Sequence, residues 1–134
     1  MKETGFLLFR LAMGANMFFH SINRFYYGPS AFKDWMVTEF ETTFIPSIAT
    51  SIFAYVLPYL EGLVGISLLL GIRTKLGLIV GSIIITFLII GSCLINKWDW
   101  VGLQMVYAIC FYLMFEKYEQ NTISIDKLLR IKQL

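Results

Sequence analysis

LLFRLAMGANMFFHSINRF, residues 7–25, is apolar enough to lie in lipid, yet it carries Arg10, Asn16, His20, Asn23 and Arg24. A charged side chain at the centre of a membrane helix costs roughly 2.5–3.5 kcal/mol on insertion scales, so such groups persist where protein partners, water or function offset that cost. If these residues find protein partners, the segment belongs to a bundle with a polar interior. The rest of the chain must then supply those partners.

The composition agrees with a membrane setting: 134 residues, 57% hydrophobic and 16% aromatic, with a mean hydropathy of +0.70. A span takes about 20 apolar residues, so this length holds about four spans and leaves no room for a separate soluble catalytic domain. The net charge is only +2 and its basic residues are scattered, which speaks against nucleic acid as a partner. The first apolar stretch follows Lys2, but it has internal charges and no small-residue cleavage site, so it reads as a retained helix and not a signal peptide.

The expected spans cover residues 4–26, 48–70, 76–95 and about 98–115. Gly28-Pro29-Ser30 closes the first, because proline cannot continue the hydrogen-bond ladder. In SAFKDWMVTEFETTF, Phe32, Trp35, Met36 and Phe40 recur at helical spacing. They predict a short amphipathic helix in the membrane interface, with Ser30 as its N-cap. The predicted fold is all-α: a four-transmembrane-helix bundle over residues 1–118, then a cytoplasmic tail over 119–134. In that tail Ile125, Leu128, Leu129 and Ile131 suggest a short surface helix. Lys2, Arg73, Lys75, Lys117, Lys127, Arg130 and Lys132 fall on one side of the membrane, against Arg24, Lys33 and Lys97 on the other. That bias predicts both termini in the cytoplasm.

On a helical wheel Arg10, Gly14, Met17, Ser21 and Arg24 share one stripe, with Met13 and His20 at its edge and Asn16 and Asn23 on another side. Glu61, in the second span, shares its stripe with Ala54, Pro58 and Gly65, small residues that let another helix approach. At about 1.5 Å per residue, Arg10 and His20 are both expected within reach of Glu61, from opposite sides, and Glu116 lies at about the depth of Arg10. The expectation is therefore a structural ion pair drawn from Arg10, Glu61 and Glu116, and a ligand-binding set of His20, Glu61, Gln104 and Tyr107. Gln104, Tyr107 and Phe111 form one face of the fourth span, and Asp99 is placed at the pocket's outer rim.

Hydrogen-bonding groups beside aromatic walls suit a ring bearing carbonyl oxygens, such as a quinone; they suit ordered water equally. Gly77 and Gly81 form a small-xxx-small contact, within the chain or at a homodimer seam. Cys93 and Cys110 make no CxxC and read as packing residues, while Trp98 and Trp100 read as interface anchors. Nothing resembles a Walker loop, a zinc-binding HExxH or a serine triad, so no catalytic residue and no metal site are assigned.

FRLAMGANMFFHSINRF, followed about 30 residues on by PYLEGLVGISLLLGIRTKLG, resembles the DoxX family of small four-helix bacterial membrane proteins. The matching features are Arg10, His20 ten residues later, Arg24, the Glu61-Gly62 pair and the Gly71-Ile72-Arg73-Thr74 turn, over about residues 5–95. Ser21 stands where the family often has glycine, and the fourth span matches no family pattern. The resemblance implies a multi-pass protein of the bacterial inner membrane. Some members are the small membrane subunit of a thiosulfate:quinone oxidoreductase, and others are linked to redox or sulfur-stress complexes. It marks Arg10, His20 and Glu61 as family positions without giving them a catalytic role. With no flavin, haem or thiol machinery of its own, the chain would need partner subunits or a bound, non-covalent quinone to take part in redox chemistry. Two alternatives stay open: a small proton- or solute-coupled transporter using His20 and Glu61, and a non-catalytic assembly factor acting with partner subunits or as a homodimer.

Overall fold

The computed structural model describes residues 2–129, and Arg130, Ile131 and Lys132 of the charge count and tail helix lie outside the described residues. Helix α1 (Lys2–Tyr27) stops at Gly28, whose φ of 96° breaks the helix, and Pro29 opens α2 (Pro29–Glu39). Proline suits the first helical position because its missing N–H would have no partner there. Ser30, expected as the cap, therefore sits inside the first turn, with Gly28 in the cap position. Then come α3 (Ser47–Leu70), α4 (Thr74–Leu94) and α5 (Trp98–Glu116), followed by a 3₁₀ turn (Tyr118–Gln120) and α6 (Ile125–Leu128). Four of these helices, α1, α3, α4 and α5, are long and apolar enough to cross a membrane.

The bundle is built as a chain of neighbours: α1 packs on α3, α3 on α4, and α4 on α5, while α1 and α5 barely touch. Lipid tails offer no hydrophobic drive between helices, so close packing of small residues must hold these seams. The α1–α3 seam shows it. A Cβ on Gly65 would lie 2.5 Å from the Phe18 backbone nitrogen, one on Gly14 2.8 Å from the Leu69 nitrogen, and one on Gly62 2.8 Å from the Ser21 hydroxyl. These three contacts fix the register, running Gly14 beside Leu69 and Ser21 beside Gly62. Gly77 and Gly81 serve the same purpose within the chain, facing Ser67 of α3 and Phe111 of α5.

At the end of the bundle where α1 begins, the tail is docked on the turn between α3 and α4. Gly71 takes the left-handed conformation (φ 65°) that ends α3, and α4 begins with no cap from its own side chains. Asp126 supplies the cap from the tail: one carboxylate oxygen accepts from the Arg73 N–H at 2.6 Å, the other from the Thr74 N–H at 2.9 Å. A carboxylate there also complements the positive end of the helix dipole. Asn121 accepts from Arg10 and donates to Thr74 Oγ1 at 3.2 Å, so α1 and α4 are tied through the tail. Burial, reinforced by the Asp126 carboxylate, keeps the Tyr118 hydroxyl neutral above the usual phenol range, and its hydrogen bond with Asn121 partly offsets that.

Candidate functional site

Near the end of α1, its register against α3 brings Arg24 to Glu61, in the middle of α3. Arg24 Nε donates to Glu61 Oε2 at 2.8 Å and Nη2 to Oε1 at 3.1 Å, a two-pronged pair with the Glu61 side chain 3% exposed and that of Arg24 20%. The guanidinium also stacks 4.0 Å from the centre of the Phe32 ring of α2. An arginine suits this position because its planar fork can meet a carboxylate along one edge while its face lies on an aromatic ring.

The expected pairing of Arg10 with Glu61 does not form. The glycine contacts set α1 along α3 so that Arg10 lies beside Gly71, farther from Glu61 than its side chain can reach, and bonds to Asn121. Glu116 is exposed and makes no ion pair among the described residues. Arg24 was visible on the same stripe as Arg10; the signal that selects it is the Gly14, Ser21 and Gly62, Gly65 spacing.

Between α1 and α5, under α2, lies a cavity of about 680 Å³. His20, Glu61, Gln104 and Tyr107 all line it, as do Phe32, Trp35, Met36 and Phe40, the whole apolar face of α2. The gap exists because α1 and α5 meet so little; one side-chain hydrogen bond among the described residues crosses it, Asn16 Nδ2 to Tyr107 Oη at 2.9 Å. Asn16, assigned from the wheel to another side, is therefore a wall of the cavity. Asp99 is exposed and lies outside the lining, because the first turn of α5 points it away. Asn23 is exposed too.

Helix α2 is held in place as a roof. Trp35 contacts Trp100 of α5 with ring centres 5.8 Å apart, Lys97 pairs with Glu39 at 3.1 Å, and Arg24 stacks on Phe32. A second, shallower hollow of about 750 Å³ runs along the outer side of α1 past Ala12, Ala15 and Phe19. It shares Asn16, His20, Arg24, Phe32 and Trp35 with the cavity, so these five side chains divide an outer groove from an inner chamber.

Chemically, the chamber offers apolar and aromatic walls interspersed with polar groups. Gln104 donates to Ser92 Oγ at 2.9 Å, and its own oxygen is covered and unpaired. His20 Nδ1 lies 3.0 Å from the Asn16 backbone oxygen, which leaves Nε2 with no protein partner among the described residues. Cys93 and Cys110 are free and half-buried. No group of three His, Cys, Asp or Glu side chains gathers among the described residues to hold a metal ion.

Four helices long and apolar enough to cross a membrane, packed around a chamber, define a multi-pass membrane protein. The chain belongs to the DoxX family, whose model matches residues 5–95, the part containing α1 to α4 and so Arg10, His20, Arg24 and Glu61. No curated protein and no solved structure matches it.

Proposed function

We propose that the protein is a membrane subunit or anchor of a quinone-linked redox complex, and that the chamber under α2 binds the ring of a quinone or a similar lipid-like molecule. The observation that carries this reading is the chamber itself: about 680 Å³, in the size range of small-molecule sites, with aromatic walls and hydrogen-bonding groups among them. The outer groove along Ala12, Ala15 and Phe19 suits an apolar tail. The Arg24–Glu61 pair supports binding over proton carriage, since both carboxylate oxygens are already engaged. Lys2, Arg73, Lys75, Lys117 and Lys127 gather at the end where α1 begins, which favours an inner-membrane orientation with that end in the cytoplasm. Electron transfer would fall to partner subunits.

Trp35 and Trp100 line the chamber, and Trp98 does not. A Trp98→Phe protein in lipid nanodiscs, titrated with a short-tailed benzoquinone, should therefore show saturable quenching of tryptophan fluorescence. Ala49→Phe, which adds a ring to the chamber wall, should abolish saturation. Quenching that rises linearly and equally in both proteins would reflect partitioning into lipid alone and would refute the reading.

A further inference from the structure

His20 faces both the groove and the chamber, and its orientation is settled by its own helix. Its Nδ1 lies 3.0 Å from the Asn16 carbonyl oxygen, an atom that can only accept, so Nδ1 carries the proton. The neutral ring therefore presents a bare lone pair at Nε2. Adding a proton turns that atom into a donor without moving the ring, because the Nδ1 bond is kept in both forms.

The other charged and titratable groups around the chamber do not duplicate this. On α1, Arg24 is occupied by Glu61 of α3, and the pair is neutral in sum. On α2, Lys33 and Asp34 pair with each other and neither lines the chamber. On α5, Tyr107 accepts from Asn16 and keeps its own O–H free to donate. On α4, no Asp, Glu, Lys or Arg lines it.

We propose that His20 is the specificity-determining residue of the chamber, and that its protonation decides which form of an oxygen-substituted ring is held. Neutral His20 accepts from a hydroxyl and favours the quinol; protonated His20 donates to a carbonyl and favours the quinone. No bond within the ring forms or breaks and no electron moves; only the hydrogen bond reverses. The inference rests on the ring-binding reading above, and the test separates the two.

The probe is a short-tailed ubiquinone analogue and its two-electron reduced quinol, kept under anaerobic conditions with Trp98→Phe protein in nanodiscs. Quinone affinity is read by quenching of Trp35 and Trp100, and quinol affinity by competition. Between pH 5.5 and pH 8, the ratio of quinol to quinone affinity should rise about tenfold, the order of one charge-assisted hydrogen bond. His20→Gln, and His20→Asn as a second variant, should bind both forms with a ratio that no longer changes with pH. A flat ratio in the parent protein, or the same slope in both variants, overturns the inference while leaving ring binding in place. Absence of saturable binding of either form at any pH overturns both.

Discussion

Replacing Glu61 by Gln leaves the Arg24 guanidinium in the bundle without its counter-charge. Breaking a buried pair by removing one partner typically costs about 3–5 kcal/mol. Two features reduce that here: the Arg24 side chain keeps 20% of its exposure and lies 4.0 Å over Phe32, and a cation–π contact retains about 0.5–1 kcal/mol at such sites. Glu61→Gln should therefore destabilise the protein by about 2–3 kcal/mol. Arg24→Gln strands a carboxylate whose side chain is only 3% exposed, so the loss should lie nearer about 4 kcal/mol at neutral pH. An unpartnered carboxylate can take up a proton and a guanidinium cannot, so acid should recover part of the Arg24→Gln loss and none of the Glu61→Gln loss. The assay is unfolding in mixed micelles titrated with sodium dodecyl sulfate, run as a double-mutant cycle with the Arg24→Gln/Glu61→Gln protein. A coupling energy below about 0.5 kcal/mol, the level of an exposed pair, would show that Arg24 and Glu61 do not depend on each other.

Asp126→Ala removes the cap of α4 and should cost about 1–2 kcal/mol in the same unfolding assay, with faster hydrogen exchange at the Arg73 and Thr74 amides. Gly65→Ala places a Cβ 2.5 Å from backbone in the α1–α3 seam and should cost about 1–3 kcal/mol or more, whereas Gly102→Ala, with nothing within 4 Å of the new atom, should be neutral or slightly stabilising. Because burial raises Tyr118 above the usual phenol range, the folded state holds that proton longer than the unfolded chain does. Its contribution is fully present below about pH 10 and is lost as pH rises beyond it. Unfolding midpoints followed from about pH 9 upward should fall less in Tyr118→Phe than in the parent protein.

The helices were legible in the sequence because their apolar runs are long and their breaks are marked by Gly28-Pro29, Gly71 and Asn96-Lys97. The apolar face of α2 was legible too, since Phe32, Trp35, Met36 and Phe40 recur at helical spacing and all meet the chamber. What one sequence hides is how far one helix slides along the next. Wheel positions give the face of a residue and leave its depth open, so Arg10 and His20 are expected to reach Glu61, while Arg24, on the stripe of Arg10, is passed over. The backbone contacts of Gly14, Gly62 and Gly65 decide between them. Asn16, on a different side of the wheel from Arg10, bonds to Tyr107 of α5, because the weak α1–α5 contact leaves a second face of α1 bordering the chamber. The docking of the tail was hidden as well, because Asp126 caps a helix more than 50 residues away in sequence.

The most direct measurement is an experimental density map of the protein purified in native lipid at a resolution that shows ring shapes. A flat, non-protein density is expected in the chamber, edge-on to His20 and Tyr107, with Arg24 clasping Glu61 beside it and a tail leaving along Ala12 and Phe19. A chamber closed by its own aromatic side chains, or an Arg24 turned away from Glu61 toward the lipid, would contradict it.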